Sequence, residues 1–123
     1  MARARNIMVG FDGSEGADRA LERAAELLGY GSILTVVTVS NNGTSSSETV
    51  ERAREQLLRR QLSATYLERR GDPTSLLVDS AEAIGADLVV VGRTRNRPPA
   101  ADGLGTVSAG VVRSAPCDVL VVS

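Results

Sequence analysis

Residues 91–108 read VGRTRNRPPAADGLGTVS and join a strand-like segment to a helix-like one. The preceding residues 87–91 (DLVVV) are mostly apolar, as in a buried strand, and a helical pattern begins near Thr106. Gly92 and Gly105 let the backbone approach a phosphate, and a glycine loop before a helix suits an anion because free N–H groups and the helix dipole point at it. Such loops also occur in α/β proteins that bind nothing. The stretch therefore predicts a strand–loop–helix unit and leaves its function open.

The composition is that of an ordinary globular protein and excludes several kinds of chemistry. The 123 residues are 42% apolar and 24% charged, which suits one domain with one core over residues 1–123. There is no histidine, and all 14 basic residues are arginine, so histidine-based triads and metal sites, a Walker lysine and Schiff-base chemistry are excluded. The lone Cys117 follows Pro116 at the start of an apolar run, and we expect it to be buried and inert.

Charge and hydropathy give expectations about partners and location. A net charge of −1 provides no general attraction to nucleic acid or to an anionic membrane. No apolar run approaches the roughly 20 residues of a membrane span, and the first residues do not resemble a signal peptide. We expect a cytoplasmic protein with neither nucleic acid nor membrane as a partner.

Apolar periodicity predicts five strands that alternate with four helices. The strands are predicted at residues 6–11, 33–39, 63–69, 88–91 and 118–122. The first helix is predicted to start at Glu15, capped by Asp12 or Ser14, and to end at Gly29. Its inward stripe is predicted to consist of Ala17, Ala20, Leu21, Ala24, Leu27 and Leu28.

The other three helices also carry recognisable boundary signals. Ser45 and Glu48 form a possible capping box for the second helix. Asp72 before Pro73 predicts the start of the third, which Gly85 ends, and Pro116 stops the fourth.

Regular alternation of strands and helices with short connections predicts a parallel sheet covered on both faces. Because crossovers are right-handed, five such strands must reverse their winding once, in a doubly wound sheet. If the order is 3-2-1-4-5, which we predict, strands one and four flank that reversal. Ligands of open α/β sheets bind at that reversal, beyond the carboxyl ends of the strands. The turn at residues 12–14 and the loop after Gly92 would then share one crevice. The weaker third strand, more polar than the others, suits a sheet edge.

An adenine nucleotide is the ligand that this set of residues suits. Asp12 has a carboxylate for ribose hydroxyls, and Val39 and Val91 at their strand ends could hold an apolar base. Donors for the phosphates would come from Gly92, Gly105, Thr106 and Ser108. The alternative is structural: Asp12 and Thr106 cap helices, and the glycines supply positive φ angles.

Several motifs in the right order resemble those of the universal stress protein family. Gly92-x2-Arg95-x9-Gly105-Thr106 has the spacing of the family's nucleotide motif, G-x2-G-x9-G-(S/T). Residues 9–14 (VGFDGS) are similar to its opening strand and turn, residues 71–73 (GDP) to its helix start, and residues 85–92 and 115–122 to its last two strands. The resemblance covers nearly the whole chain. It implies an adenine nucleotide alpha hydrolase-like fold, usually a homodimer, with some members binding ATP.

Carried over residue by residue, the resemblance implies a complete nucleotide site. Asp12 would lie on the ribose and adenine side with Gly10 and Phe11 beside it, while Val39 and Val91 contact the base. The residues implied at the phosphates are Gly92, Gly105, Thr106, Val107 and Ser108.

Arg95 departs from the family motif, in which ATP-binding members have glycine. Arginine adds bulk and a fixed positive charge, so it would either hold the phosphates or fill their place. The sequence thus predicts an ATP-binding regulatory protein, with Mg²⁺ if ATP is the ligand, or else a nucleotide-free dimer that acts as a scaffold. Without histidine or lysine, hydrolysis would be slow at most. The apolar run Asp118–Val122 at a sheet edge predicts homodimerisation.

Overall fold

The computed structural model describes residues 6–40, 47–93 and 106–123. Within these ranges, strands and helices alternate strictly along the chain. The elements are β1 Asn6–Gly10, α1 Glu15–Leu27, β2 Ile33–Ser40, α2 Ser47–Leu58, β3 Thr65–Arg70, α3 Pro73–Ile84, β4 Leu88–Gly92, α4 Thr106–Ser114 and β5 Asp118–Val122.

The strands form one parallel sheet in the order β3-β2-β1-β4-β5, as predicted. β1 lies at the centre, with Gly10 opposite Val37 of β2 and Ile7 opposite Leu88 of β4. The winding reverses between β1 and β4, so the ends of these two strands flank the crevice at the switch point. β3 lies at one edge of the sheet, as its polar sequence indicates, and β5 lies at the other.

Each face of the sheet has its own hydrophobic core because successive side chains of a strand point to opposite faces. On one face, Val9 and Val36 pack with α1 and with α2, whose Leu57 is fully buried. On the other, Met8 and Val37 pack with Leu77 of α3 and with α4. The predicted helices on both faces are therefore confirmed. Within the described ranges, no helix has both the length and the apolar character needed to span a bilayer.

The structure resolves the capping alternatives and corrects the inward stripe of the first helix. Ser14 is the N-cap of α1, its side chain accepting a hydrogen bond from the N–H of Ala17. α1 ends at Leu27 with an extended Leu28 as C-cap, so Gly29 follows the cap directly, at the predicted stop, but without the left-handed φ of a glycine cap. Leu27 is 43% exposed, so its place in the predicted inward stripe was wrong, and Ala25 is buried instead. The buried face of α1 is the one that packs on the sheet, whichever residues are most apolar.

The start of α3 confirms its sequence signal, and other boundaries shift by a residue or two. Asp72 caps α3 by accepting a hydrogen bond from the N–H of Ser75, and Gly85 ends the helix in the left-handed region at φ 67°. β1 ends at Gly10 and not at residue 11, and β3 spans Thr65–Arg70 and not 63–69. The proposed capping box at Ser45 and Glu48 falls partly outside the described residues.

Cys117 is only partly buried, so the expectation of a buried thiol was wrong. It lies in the turn before β5 and packs in part against the core on the face of α3 and α4. Desolvation nevertheless raises the pKa of its thiol, and the carboxylates of Asp118 and Asp87 raise it further. The protonated, unreactive form is therefore favoured at neutral pH.

Candidate functional site

A cleft of about 150 Å³ opens at the carboxyl ends of β1, β2 and β4, at the switch point of the sheet. The strand ends supply its floor, α3 one wall, and the first turns of α1 and α4 its rim. The lining residues are Gly10, Phe11, Asp12, Ser14, Ala17, Val37, Val39, Pro73, Leu77, Val91, Gly92, Arg93, Val107 and Ser108.

One side of the cleft is apolar. Val37 and Val39 alternate along β2 and therefore point to the same face of the sheet, where Leu77 of α3 and Val91 of β4 meet them. Gly10 lies between them, and a Cβ there would come within 3.1 Å of Leu77 and 3.3 Å of Val91. The absence of a side chain at Gly10 thus lets Leu77 and Val91 approach the strand, and together they give this side of the cleft an apolar surface.

The turn after β1 presents a carboxylate to the same cleft. Asp12 is exposed, and its Oδ1 accepts a hydrogen bond from the N–H of Ser14 at 3.0 Å. Ser14 is the N-cap of α1, so Asp12 does not have the capping role that the sequence left open for it. The Asp12 carboxylate thus shapes the turn and keeps lone pairs for further donors.

Gly92 is required by packing, whatever else it does. A Cβ at this position would lie 2.3 Å from the carbonyl carbon and oxygen of Gly16, and one on Gly16 would lie 2.7 Å from the carbonyl oxygen of Arg93. The two glycines let the backbone of α1 cross directly over the end of β4. Gly92 therefore has a structural role, as the alternative interpretation expected. The reason is the close approach of two backbones and not a positive φ.

Two potential donors at the end of β4 already have partners within the protein. The buried hydroxyl of Ser108 donates to the carbonyl of Gly92 at 2.9 Å, which fixes the first turn of α4 against β4. The N–H of Arg93 donates to the carbonyl of Val122 at 2.9 Å. An anionic ligand, which needs donors, would therefore accept a hydrogen bond from the Ser108 hydroxyl only by displacing this bond, and would find other donors in the first turn of α4.

Most of the residues predicted for the site meet in this cleft. Eight of them line it: Gly10, Phe11, Asp12, Val39, Val91, Gly92, Val107 and Ser108. Thr106 opens α4 and is exposed without lining the cleft, while Arg95 and Gly105 fall outside the described residues. Within the described part of the chain, no group of three or more acidic or cysteine side chains is gathered as for a metal ion.

Six lining residues were absent from the predicted site: Ser14, Ala17, Val37, Pro73, Leu77 and Arg93. Period-two alternation along β2 places Val37 on the face of Val39, so that residue had a usable signal. Nothing in the sequence marked Pro73 and Leu77 as site residues, because they are typical of the start and of the core face of an ordinary helix.

Comparison with known proteins identifies relatives of the whole chain. The model of the "Universal stress protein family" matches residues 3–123. A universal stress protein of Mycobacterium tuberculosis is 30% identical over 145 residues, covering 99% of this chain and 98% of the relative.

Solved structures with the same fold include two with nucleotides. A universal stress protein in complex with cAMP is 29% identical with a TM-score of 0.79, and the match covers 99% of this chain and 98% of that one. An Arabidopsis thaliana family protein with AMP bound is 20% identical with a TM-score of 0.69, covering 95% and 90% of the two chains. At that low identity the second match shows a shared fold alone.

Proposed function

The chain belongs to the universal stress protein family, and on that premise we propose that it binds an adenine nucleotide, foremost ATP, in the cleft between β1 and β4. Its occupancy would be sensed by a protein partner. The observation that carries the proposal is that the Asp12 carboxylate, the apolar side formed by Val39, Val91 and Leu77, and the start of α4 all border one cleft. The solved relative with cAMP supports the same class of ligand.

Each part of a nucleotide has a matching set of residues in this proposal. Asp12, with Gly10 and Phe11 beside it, would accept hydrogen bonds from the ribose hydroxyls, and Val39 and Val91 would contact the adenine. The phosphates would lie at the N-terminus of α4, where unpaired N–H groups and the helix dipole favour an anion. The residues proposed there are Gly92, Arg95, Gly105, Thr106, Val107 and Ser108. Mg²⁺ would arrive with the ATP, since it binds chiefly to phosphate oxygens and water.

Titration calorimetry with ATP and Mg²⁺ tests the proposal. We expect measurable affinity in the wild-type protein and a loss of about tenfold or more in Asp12→Ala, because a hydrogen bond to a charged group is lost. Asp79→Asn, a change to an exposed carboxylate of α3 outside the cleft, is the matched control and should bind as the wild type does. Absence of heat at millimolar ATP, together with no nucleotide in a denatured extract, would contradict the proposal.

A second candidate function is a nucleotide-free dimer that serves as an interaction scaffold. Two observations favour it: arginine replaces the second motif glycine at Arg95, and β5 lies at the sheet edge with its apolar side chains only partly buried. Arg95→Gly separates the two candidates in the same titration. It should leave ATP affinity similar or lower if Arg95 holds phosphate, whereas it should create affinity if Arg95 blocks the site.

A further inference from the structure

The turn that carries Asp12 is held from outside by α2. Arg52 Nη1 donates to the carbonyl of Gly13 at 2.7 Å, and Arg52 Nη2 donates to Asp18 Oδ2 at 3.1 Å and Oδ1 at 3.5 Å. One guanidinium thus bridges the turn and the first turns of α1. Because the fork of an arginine is planar and rigid, these contacts fix the position of the Gly13 peptide relative to the helix.

Gly13 is the part of the turn that most needs an external contact. Its φ is 82°, in the left-handed region, and glycine has more conformational freedom than any other residue. A Cβ on Gly13 would lie 3.4 Å from Arg52 Nη1 and 3.7 Å from Thr49 Cγ2, so the first half of α2 lies directly over the turn. Asp12 directly precedes Gly13, so the direction of the Asp12 carboxylate depends on the backbone conformation of Gly13.

We propose that Arg52 is a positioning residue for Asp12, through which the docking of α2 on α1 controls nucleotide affinity; this rests on the proposed function. Arg52 does not line the cleft, and its charge is paired with Asp18, so it acts on a ligand through the turn and not by contact. Without it, Gly13 samples more conformations and the carboxylate must be ordered when the nucleotide binds. This ordering adds an entropic cost to nucleotide binding and so weakens the affinity.

The chain offers a matched control in the turn just after the same helix. Arg60 also pairs with α1, through Glu22, but makes no contact with the turn. Arg52→Met and Arg60→Met therefore each remove one positive charge and one ion pair with α1, and only the first releases Gly13. Unfolding of both variants in urea checks that they remain folded at the temperature of the titrations.

Titrations with ATP and with AMP, both with Mg²⁺, provide the first test. We expect Arg52→Met to weaken both nucleotides by the same factor, about fivefold, as befits the loss of a hydrogen bond from a half-exposed charged donor. Arg60→Met should bind both as the wild type does. A loss that is larger for ATP than for AMP would indicate a long-range effect of charge on the phosphates and would overturn the positioning role.

A double-mutant cycle distinguishes positioning from general destabilisation. If Arg52 acts through Asp12, Arg52→Met should cause no further loss in the Asp12→Ala background. Arg52→Lys, which can still donate to the Gly13 carbonyl, should recover part of the affinity. Equal losses in both backgrounds overturn the inference while leaving the proposed function standing. Failure of the wild-type protein to bind either nucleotide overturns the proposed function itself and this inference with it.

Discussion

Two glycines set how closely α1 approaches the sheet. Gly16 and Gly92 meet where the first turn of α1 crosses the end of β4, and either Cβ would overlap the backbone opposite. Backbone atoms cannot rotate aside as a side chain can, so the whole helix would have to move. Since the same contact sets the rim of the cleft, these residues link packing to the geometry of the site.

Gly92→Ala should therefore destabilise the protein by about 1–3 kcal/mol, as expected for overpacking in a well-packed region. The comparison variant is Gly110→Ala in α4, where the new Cβ would meet the side chain of Thr74, with Cγ2 at 2.5 Å. Because Thr74 can change rotamer, the loss should be smaller. Urea unfolding of both variants at one pH measures the difference. An equal or smaller loss for Gly92→Ala would contradict the argument.

Helix α3 carries an N-cap whose charge responds to pH. The hydrogen bond from the backbone N–H of Ser75, followed by that from its side chain, lowers the pKa of Asp72 below its ordinary 3.8. A carboxylate whose pKa is lower in the folded state stabilises the protein above its unfolded pKa, and this contribution is lost as pH falls through the folded value. α3 should therefore be less firmly capped in acid than at neutral pH.

Asp72→Asn should flatten this part of the pH dependence. Asparagine caps a helix about as well as aspartate but does not titrate, so stability near pH 7 should change little. Below about pH 4, the difference between the wild type and Asp72→Asn should shift in favour of the variant. Urea midpoints measured from neutral pH into acid would show this. Asp72→Ala, which removes the cap, should instead lower stability at neutral pH as well.

At the scale of the whole molecule, β5 forms one edge of the sheet that the described residues build. The strand Asp118–Val122 ends the sheet, and its apolar residues are partly exposed, unlike the buried centre of β4. An exposed apolar edge strand pairs readily with another, and twofold pairing between two copies would cover both edges. We propose that the protein is a homodimer through this strand.

Sedimentation equilibrium over a range of concentrations tests the dimer. The wild-type protein should sediment with the mass of two chains, and Val121→Lys should shift it toward one, because lysine on an edge strand opposes pairing. Val112→Lys places the same charge at a half-exposed valine of α4 outside the strand and should leave the mass unchanged. A monomer mass for the wild type at every concentration would exclude this assembly.

Only some of the residues that line the cleft could be predicted from local sequence patterns. Asp12, Gly92 and Val39 were predictable because each lies where a strand ends, and parallel strands bring their carboxyl ends to one edge. Leu77 and Pro73 were not, because a core-facing leucine and a helix-start proline look alike wherever the helix packs. The role of Arg52 could not be read from the sequence either, since its contact with Gly13 joins residues 39 positions apart.

By itself, the sequence determined the alternation of strands and helices and a doubly wound parallel sheet whose winding reverses once. These follow from periodicity, from turn residues such as Asp72 and Gly85, and from the handedness of crossovers, all of which act locally or by general rule. Only the tertiary structure decided that Ser14 caps α1, that Gly16 faces Gly92 and that Arg52 holds the turn. The last two contacts join elements far apart in the chain, and the choice of Ser14 over Asp12 as cap depends on the backbone conformation of the turn, so no local pattern encodes them.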